Sequence, residues 1–319
     1  TNTAFSRPIR WIVALYDKTV IPFSYAGIPT DNVTRGLRPY GSPEITLLDA
    51  DTYWNAINTQ HIVLDSDKRR AIIIEQANAL AAEVGGQIPM NAGLLAEVVN
   101  LVESPTALRG TFSAEYLTLP RDVLVTVMRK HQRYFPVEDA NGKLLPYFIT
   151  IRNGDTQHLD IVAKGNEHVL QARFYDANFF YKDDLQKPLA EHLQRLGTLT
   201  FEEHLGSMLD KNNRVAATVK AVGQALGLSA ADIAIAEQAA KLVKADLGTR
   251  MVVEMTSLQG TMGRDYALLE GIPAPVANAI LEHWQPRNAD DSLPASAAGA
   301  LLAVTDRLDS LTGLFAAGL

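Results

Sequence analysis

The sequence contains no cysteine. Disulfides, thiolate metal sites and a cysteine nucleophile are therefore excluded, and a reducing compartment, with cytoplasm as the default expectation, is allowed. Long hydrophobic runs are also missing. The most apolar stretches, 71–80 and 297–304, are far shorter than the roughly 20 residues a membrane-spanning helix needs, so no spanning segment is expected. No long block of like charge suggests a solvated tail, and neither common glycine-rich phosphate loop occurs, which excludes ATP binding by a Walker loop. The seven histidines lack the i,i+4 spacing of a helical zinc site. The start has neither an initiator Met nor the basic and apolar regions of a secretory signal, and the chain stops in the apolar run 311–319. Both ends predict a fragment of a longer protein.

What is present is an ordinary globular balance: 319 residues, 47% hydrophobic and 20% charged, enough for two domains each burying its own core. The net charge of −7 argues against indiscriminate nucleic-acid binding, which depends on Lys and Arg neutralising phosphates. It leaves room for a local basic patch. The segment Met128-Arg129-Lys130-His131-Gln132-Arg133-Tyr134-Phe135 interleaves cations with aromatics, as a nucleic-acid contact does; composition equally allows a solvated helix end with its aromatics in the core.

Periodicity predicts an α+β fold. Residues 9–16 and 19–23 read as two strands joined at Asp17-Lys18. Helices follow at 49–58, at 66–84 with Ser66-Asp67 as cap and Gly85-Gly86 as stop, and at 91–101. A helix over 120–130 starts with proline, and a second hairpin pairs 132–137 with 144–152 around Asn141-Gly142. From about residue 164 strand signals vanish and helical spacing recurs at 167–181, 184–196, 205–226, 230–244 and 275–284. The expected domains are 1–183, mixed α and β, and 184–319, all helix.

A series of short strings runs along the chain: Arg7-Pro8-Ile9-Arg10-Trp11, Thr34-Arg35-Gly36, Leu101-Val102-Glu103-Ser104-Pro105, His131-Gln132-Arg133-Tyr134-Phe135-Pro136-Val137, Gly165-Asn166-Glu167-His168-Val169, and Ala172-Arg173-Phe174-Tyr175-Asp176-Ala177-Asn178-Phe179-Phe180. Lys244-Ala245-Asp246-Leu247, Leu258-Gln259-Gly260 and Thr305-Asp306-Arg307-Leu308-Asp309 continue it. In this order they resemble the beta subunit of the two-subunit bacterial glycyl-tRNA synthetase. The family's N-terminal portion and its C-terminal anticodon-binding domain are absent. The resemblance implies a cytoplasmic heterotetramer in which the alpha subunit activates glycine with ATP and Mg, while the beta subunit binds tRNA(Gly). No catalytic residue and no cofactor are then expected in this chain.

The helical half also resembles HD-type phosphohydrolases, whose metal site uses a His, a later His-Asp pair and a final Asp. Lys211 stands at the first His position and Ala245 at the second, while Asp246 and Asp306 keep the carboxylates. Two carboxylates without imidazoles make a poor transition-metal site, so a fold that has lost hydrolase chemistry is expected, with Lys211 as a substitute charge. The plainer reading is that Asp246 and Asp306 cap helices or pair with Lys211, Lys244 or Arg307.

For tRNA contacts the candidates are Arg35, Arg38, Arg129, Lys130, His131 and Arg133, since cations position a nucleic-acid backbone and neighbouring aromatics can stack on bases. Helical spacing places Phe179 and Phe180 in the core and pairs Arg173 with Asp176. Three functions compete: a tRNA-binding synthetase subunit, an active metal phosphohydrolase, and an assembly scaffold.

Overall fold

The computed structural model describes residues 9–319, so the opening segment, including Arg7-Pro8 of the first string, lies outside the described residues. The chain begins with short strands β1 (Ile12–Val13), β2 (Leu15–Tyr16), β3 (Thr19–Val20), β4 (Ser24–Tyr25), β5 (Ile28–Asp31), β6 (Val33–Arg35) and β7 (Glu44–Thr46). Helices α1 (Thr52–Thr59), α2 (Ser66–Ala82) and α3 (Ala92–Leu101) follow. Strand β8 (Pro105–Thr111) and helix α4 (Arg121–Thr126) precede β9 (Phe135–Glu138), β10 (Leu144–Asn153) and the long α5 (Leu159–Asp184). After it come α6 (Leu189–His192), β11 (Thr200–Glu202), β12 (Gly206–Ser207), α7 (Met208–Ala225), α8 (Ala230–Ala240), α9 (Arg250–Glu254), α10 (Thr261–Leu269), α11 (Ala274–Glu282) and α12 (Ala297–Ala316).

This is an α+β protein, and it divides into two compact units: residues 1–114 with 128–170, and residues 115–127 with 171–319. The boundary drawn from the sequence at residue 183 falls one residue before the end of α5.

In the first unit an antiparallel sheet of order β8-β10-β9 carries the main core. Helix α2 turns Ile73, Ala77 and Ala81, spaced four apart, toward it, and α3 adds Leu94, Leu95, Val98 and Val99; Ala107, Phe135, Val137 and Ile149 complete the cluster from the strands. This is the apolar stripe of a helix meeting one face of a sheet. Gly110 and Phe148 are cross-strand partners, and a Cβ at Gly110 would lie 2.3 Å from the Phe148 ring. The glycine is what lets that ring lie flat over β8.

Four local expectations are corrected. The cap of α2 is Asp65, whose side chain accepts from the amides of Asp67 and Lys68, so the helix begins one residue after its cap at Ser66. The hairpin at Asp17-Lys18 exists, pairing β2 with β3; the strand expected over 9–16 is interrupted, however, and its first piece, β1, pairs parallel with β5. The helix expected over 120–130 is α only to Thr126 and then widens into a π-helical turn over Val127–His131. The half expected to be entirely helical contains the β11-β12 ribbon, whose strands are too short to show a period.

The second unit is a stack of helices. Val215 and Val219 of α7, Ile233, Ala236 and Ala240 of α8, Ala277 and Ile280 of α11, and Leu301 and Leu302 of α12 are all buried. Small residues at α8 and α11 allow close helix approach. Helix α5 buries Leu170, Phe174 and Ala177, an i, i+4, i+7 row. Phe179 is two positions past that row and is half exposed, with the Arg250 guanidinium 5.7 Å from its ring centre. The expectation that Phe179 lies in the core is therefore overturned by the angle at which the helix presents it.

Candidate functional site: a buried ion cluster and a surface of cations

The helical unit holds its charges inside. Lys211 lies in the first turn of α7, just after a capping box formed by Ser207 and Asp210, and it is buried. Its ammonium donates to the Asp306 carbonyl (2.9 Å), to Asp309 Oδ2 (3.1 Å) and to Ser310 Oγ (2.8 Å), and lies 3.3 Å from Asp306 Oδ1. All three of an ammonium's protons are thereby used. Lys244, held at φ +63°, places Nζ 2.8 Å from the same Asp306 Oδ1 and 4.5 Å from the Trp284 ring centre.

Asp309 is closed off by a bidentate grip from Arg214, at 2.8 Å from Nε and 3.2 Å from Nη2. Asp246 is fully buried and turns Oδ2 to the amides of Gly260 (2.5 Å) and Gly263 (3.1 Å), the second inside the first turn of α10. His283 packs beside Trp284, ring centres 4.9 Å apart, with Nδ1 against the Ile280 carbonyl.

Burial dominates the electrostatics, because removing a charge from water disfavours it. It raises Asp246 to about 6 despite the two backbone amides. It lowers Lys244, against the opposing pull of Asp306. For Asp306 burial pushes upward, but Lys244 and Lys211 outweigh it and hold the carboxyl below its ordinary value. The His283 imidazole is driven well below the usual histidine range by burial and then by the Lys244 charge. Three cations, Lys211, Lys244 and Arg214, meet two carboxylates, Asp306 and Asp309, while Asp246 stands apart on backbone amides.

Of the four positions singled out in this half, the structure brings Lys211 and Asp306 together. Asp246 faces the α10 amides, and Ala245 contributes a buried methyl group. Asp306 pairs with Lys211 and Lys244, whereas Arg307 donates to the Ala303 (3.0 Å) and Pro286 (2.9 Å) carbonyls. Among the described residues no group of three or more His, Cys, Asp or Glu is arranged to hold a metal ion. Sequence reasoning missed Arg214, Asp309 and His283. A signal for two of them existed: Lys211/Arg214 and Asp306/Asp309 are both spaced i,i+3, which puts each pair on one face of its helix.

The cations of the first unit are arranged differently. Arg35, on β6, pairs with Glu44, donates to the Ser42 carbonyl and lies 5.7 Å from the Trp11 ring centre. Arg38, in a short 3-10 turn, is exposed. In the π-helical turn Arg129 is partly buried and donates to the Pro89 carbonyl (2.9 Å), while Lys130 and His131 are exposed. Arg133, at φ +58°, bonds Glu97 (2.8 Å) and the Lys130 carbonyl (2.7 Å). The aromatics of this segment do not join the surface. Tyr134 stacks on Phe148 at 4.6 Å, and both Tyr134 and Phe135 are buried; base stacking by either ring is thus corrected to a core role. Lys130, His131 and Arg133 remain exposed.

Fold and site together define a two-unit α+β protein whose helical unit holds a buried ion cluster. The chain belongs to the glycyl-tRNA synthetase beta subunit family, whose model matches residues 1–319. It is 46% identical over 315 residues to the glycine–tRNA ligase beta subunit of Levilactobacillus brevis, covering 99% of this chain and 45% of that one. The corresponding subunit of Desulfitobacterium hafniense is 44% identical over 315 residues, with 99% and 46% covered. The Arabidopsis thaliana protein named glycine–tRNA ligase, chloroplastic/mitochondrial 2, is 45% identical over 318 residues, all of this chain and 30% of that one. The chain thus spans less than half the length of these relatives. Among the described residues no helix is long and apolar enough to cross a membrane.

Proposed function

We propose that the chain is the part of a glycine–tRNA ligase beta subunit that binds and positions tRNA(Gly), in a cytoplasmic heterotetramer whose alpha subunit carries the aminoacylation site and uses ATP and Mg. The observation that carries this reading is the similarity to beta subunits along 99% of the chain at 46% identity. Arg35, Arg38, Arg129, Lys130, His131 and Arg133 supply the phosphate contacts, with Arg38, Lys130, His131 and Arg133 exposed.

The helical unit, in this reading, has an HD-type fold without hydrolase chemistry. What supports it is that Asp306 is held by two ammonium groups, 2.8 and 3.3 Å away, where a metal ion would have to displace both. The domains are then 1–183 for the mixed part and 184–319 for the helical part.

The test is tRNA binding by the complete two-subunit enzyme carrying Arg38→Glu and Lys130→Glu. Affinity should fall about tenfold or more at moderate salt, with a shallower salt dependence because fewer counterions are released. An unchanged salt slope with intact folding removes these cations from the interface and favours an assembly scaffold.

A further inference from the structure

Helix α12 has two apolar faces. One buries Ala298, Leu301, Leu302 and Thr305 in the second unit. The other carries Val304, Leu308, Leu311 and Phe315, exposed by 41, 46, 55 and 76%. From Val304 this row advances by four, three and four residues, the spacing at which one helix meets another along a seam.

Apolar grooves flank the row on both sides. One, of about 380 Å³, lies against α7 and is lined by Leu205, Thr218, Val222, Leu308 and Gly313. The other, of about 310 Å³, is lined by Pro286, Leu293, Pro294 and Val304. The charges at their edges are already committed: Arg214 grips Asp309, and Arg307 holds the Ala303 and Pro286 carbonyls. A phosphate or an acidic peptide finds no uncommitted cation along the row itself. Contiguous apolar surface of this kind marks an interface, and an interface without charge at its centre has the character of a permanent contact.

We propose that the α12 row is the docking seam for an amphipathic helix of the same polypeptide, supplied by the portion of the full-length subunit outside these 319 residues. The length is available: this chain accounts for 45% and 46% of the two bacterial relatives, so more than half of such a subunit lies elsewhere. The seam requires a helix, because only a helix repeats its own apolar side chains at matching steps and can set one into each flanking groove.

The experiment uses the full-length subunit with a photoreactive benzophenone side chain in place of Leu311. Irradiation should give a cross-link within one chain, mapped by peptide mass spectrometry to a segment outside residues 1–319, with a yield that does not change on dilution. A cross-link to a second copy, lost on dilution, overturns the proposal. So does one to another subunit, or none at all. As a second measurement, Phe315→Asp in the same full-length chain should raise the rate of proteolytic cleavage near α12 about tenfold, whereas Val253→Asp, at an exposed position elsewhere in the unit, should not. Equal cleavage rates for the two variants also overturn it.

Discussion

Lys244 Nζ lies 2.8 Å from Asp306 Oδ1 with both side chains withdrawn from solvent, and Lys211 approaches the same oxygen at 3.3 Å. Such a pair is held by mutual need: each charge costs several kcal/mol to bury and is tolerable only beside the other. Asp306→Asn leaves two ammonium groups facing a neutral amide, so a loss of about 3–5 kcal/mol is expected. Replacing the three together, Lys211→Met, Lys244→Met and Asp306→Leu, should cost less than Asp306→Asn alone, because no orphaned charge remains. Urea unfolding of the variants checks this, and a triple variant weaker than the single one would mean that the cluster stabilises the unit by attraction.

Asp246 and His283 make opposite contributions to pH dependence. Asp246, raised to about 6, adds stability that is fully present below its unfolded value of 3.8 and is lost as pH rises through about 6. The size is on the order of 3 kcal/mol from the two-unit shift. His283, lowered well below 6.5, acts the other way: below pH 6.5 the unfolded chain takes a proton that the folded one refuses, so stability is lost as pH falls. The two partly cancel between pH 6.5 and 4. Asp246→Asn removes the compensation and should make the melting temperature drop more steeply than in the wild type between pH 7 and 5. Parallel melting curves over that range would show that Asp246 does not titrate there.

How much of this could be read in the sequence depends on the reach of the interaction. The 138–143 turn was legible because its chemistry is local: Asp139 accepts from the Asn141 and Lys143 amides, and Gly142 takes φ +78°. Helix α3 was legible for the same reason, with Asn91 as its cap. Lys211 and Asp306 could be singled out as positions, but not their contact, which joins residues 95 apart in the chain. The roles of Lys244 and His283 depend on a left-handed backbone and on the packing of Trp284, neither of which has a sequence period. Tyr134 and Phe179 mislead in opposite directions. An aromatic beside cations turned inward onto Phe148, while an aromatic on α5 turned outward, because tertiary packing and helix angle decide the direction and local composition does not.

Asp184 ends α5 and begins the contacts of α9. Its carboxylate accepts from the Arg250 amide (2.7 Å), the Met251 amide (3.0 Å) and the Tyr266 hydroxyl (2.9 Å), a cap delivered from 66 residues earlier in the chain. Asp184→Ala leaves three donors without that acceptor, two of them buried, and a loss of about 3 kcal/mol is expected. Asp184→Asn keeps one carbonyl oxygen and should recover part of it. Tyr266 gives a separate readout, since burial, followed by the Asp184 charge, raises its phenol far above the usual tyrosine value. A double-mutant cycle of Asp184→Ala with Tyr266→Phe should show a coupling of about 0.5 kcal/mol or more, and strict additivity would break the proposed link between the two residues.

Gly110 offers the sharpest steric test. A methyl group there would lie 2.3 Å from Phe148 Cζ and 2.6 Å from Cε1, and Tyr134 is stacked on that ring at 4.6 Å. Gly110→Ala should therefore destabilise the first unit by about 1–3 kcal/mol through overpacking, well beyond the slight gain that alanine brings by restricting the unfolded chain. Phe148→Leu alone should also destabilise, by vacating space under Tyr134. In the double variant the smaller side chain makes room for the methyl group, so the combined loss should be less than the sum of the two single losses by 0.5 kcal/mol or more, on the order expected for residues in direct contact. Chemical denaturation of the four proteins measures that coupling. Strict additivity would mean that the Phe148 ring is free to move aside and that Gly110 does not set the packing of β8 against β10.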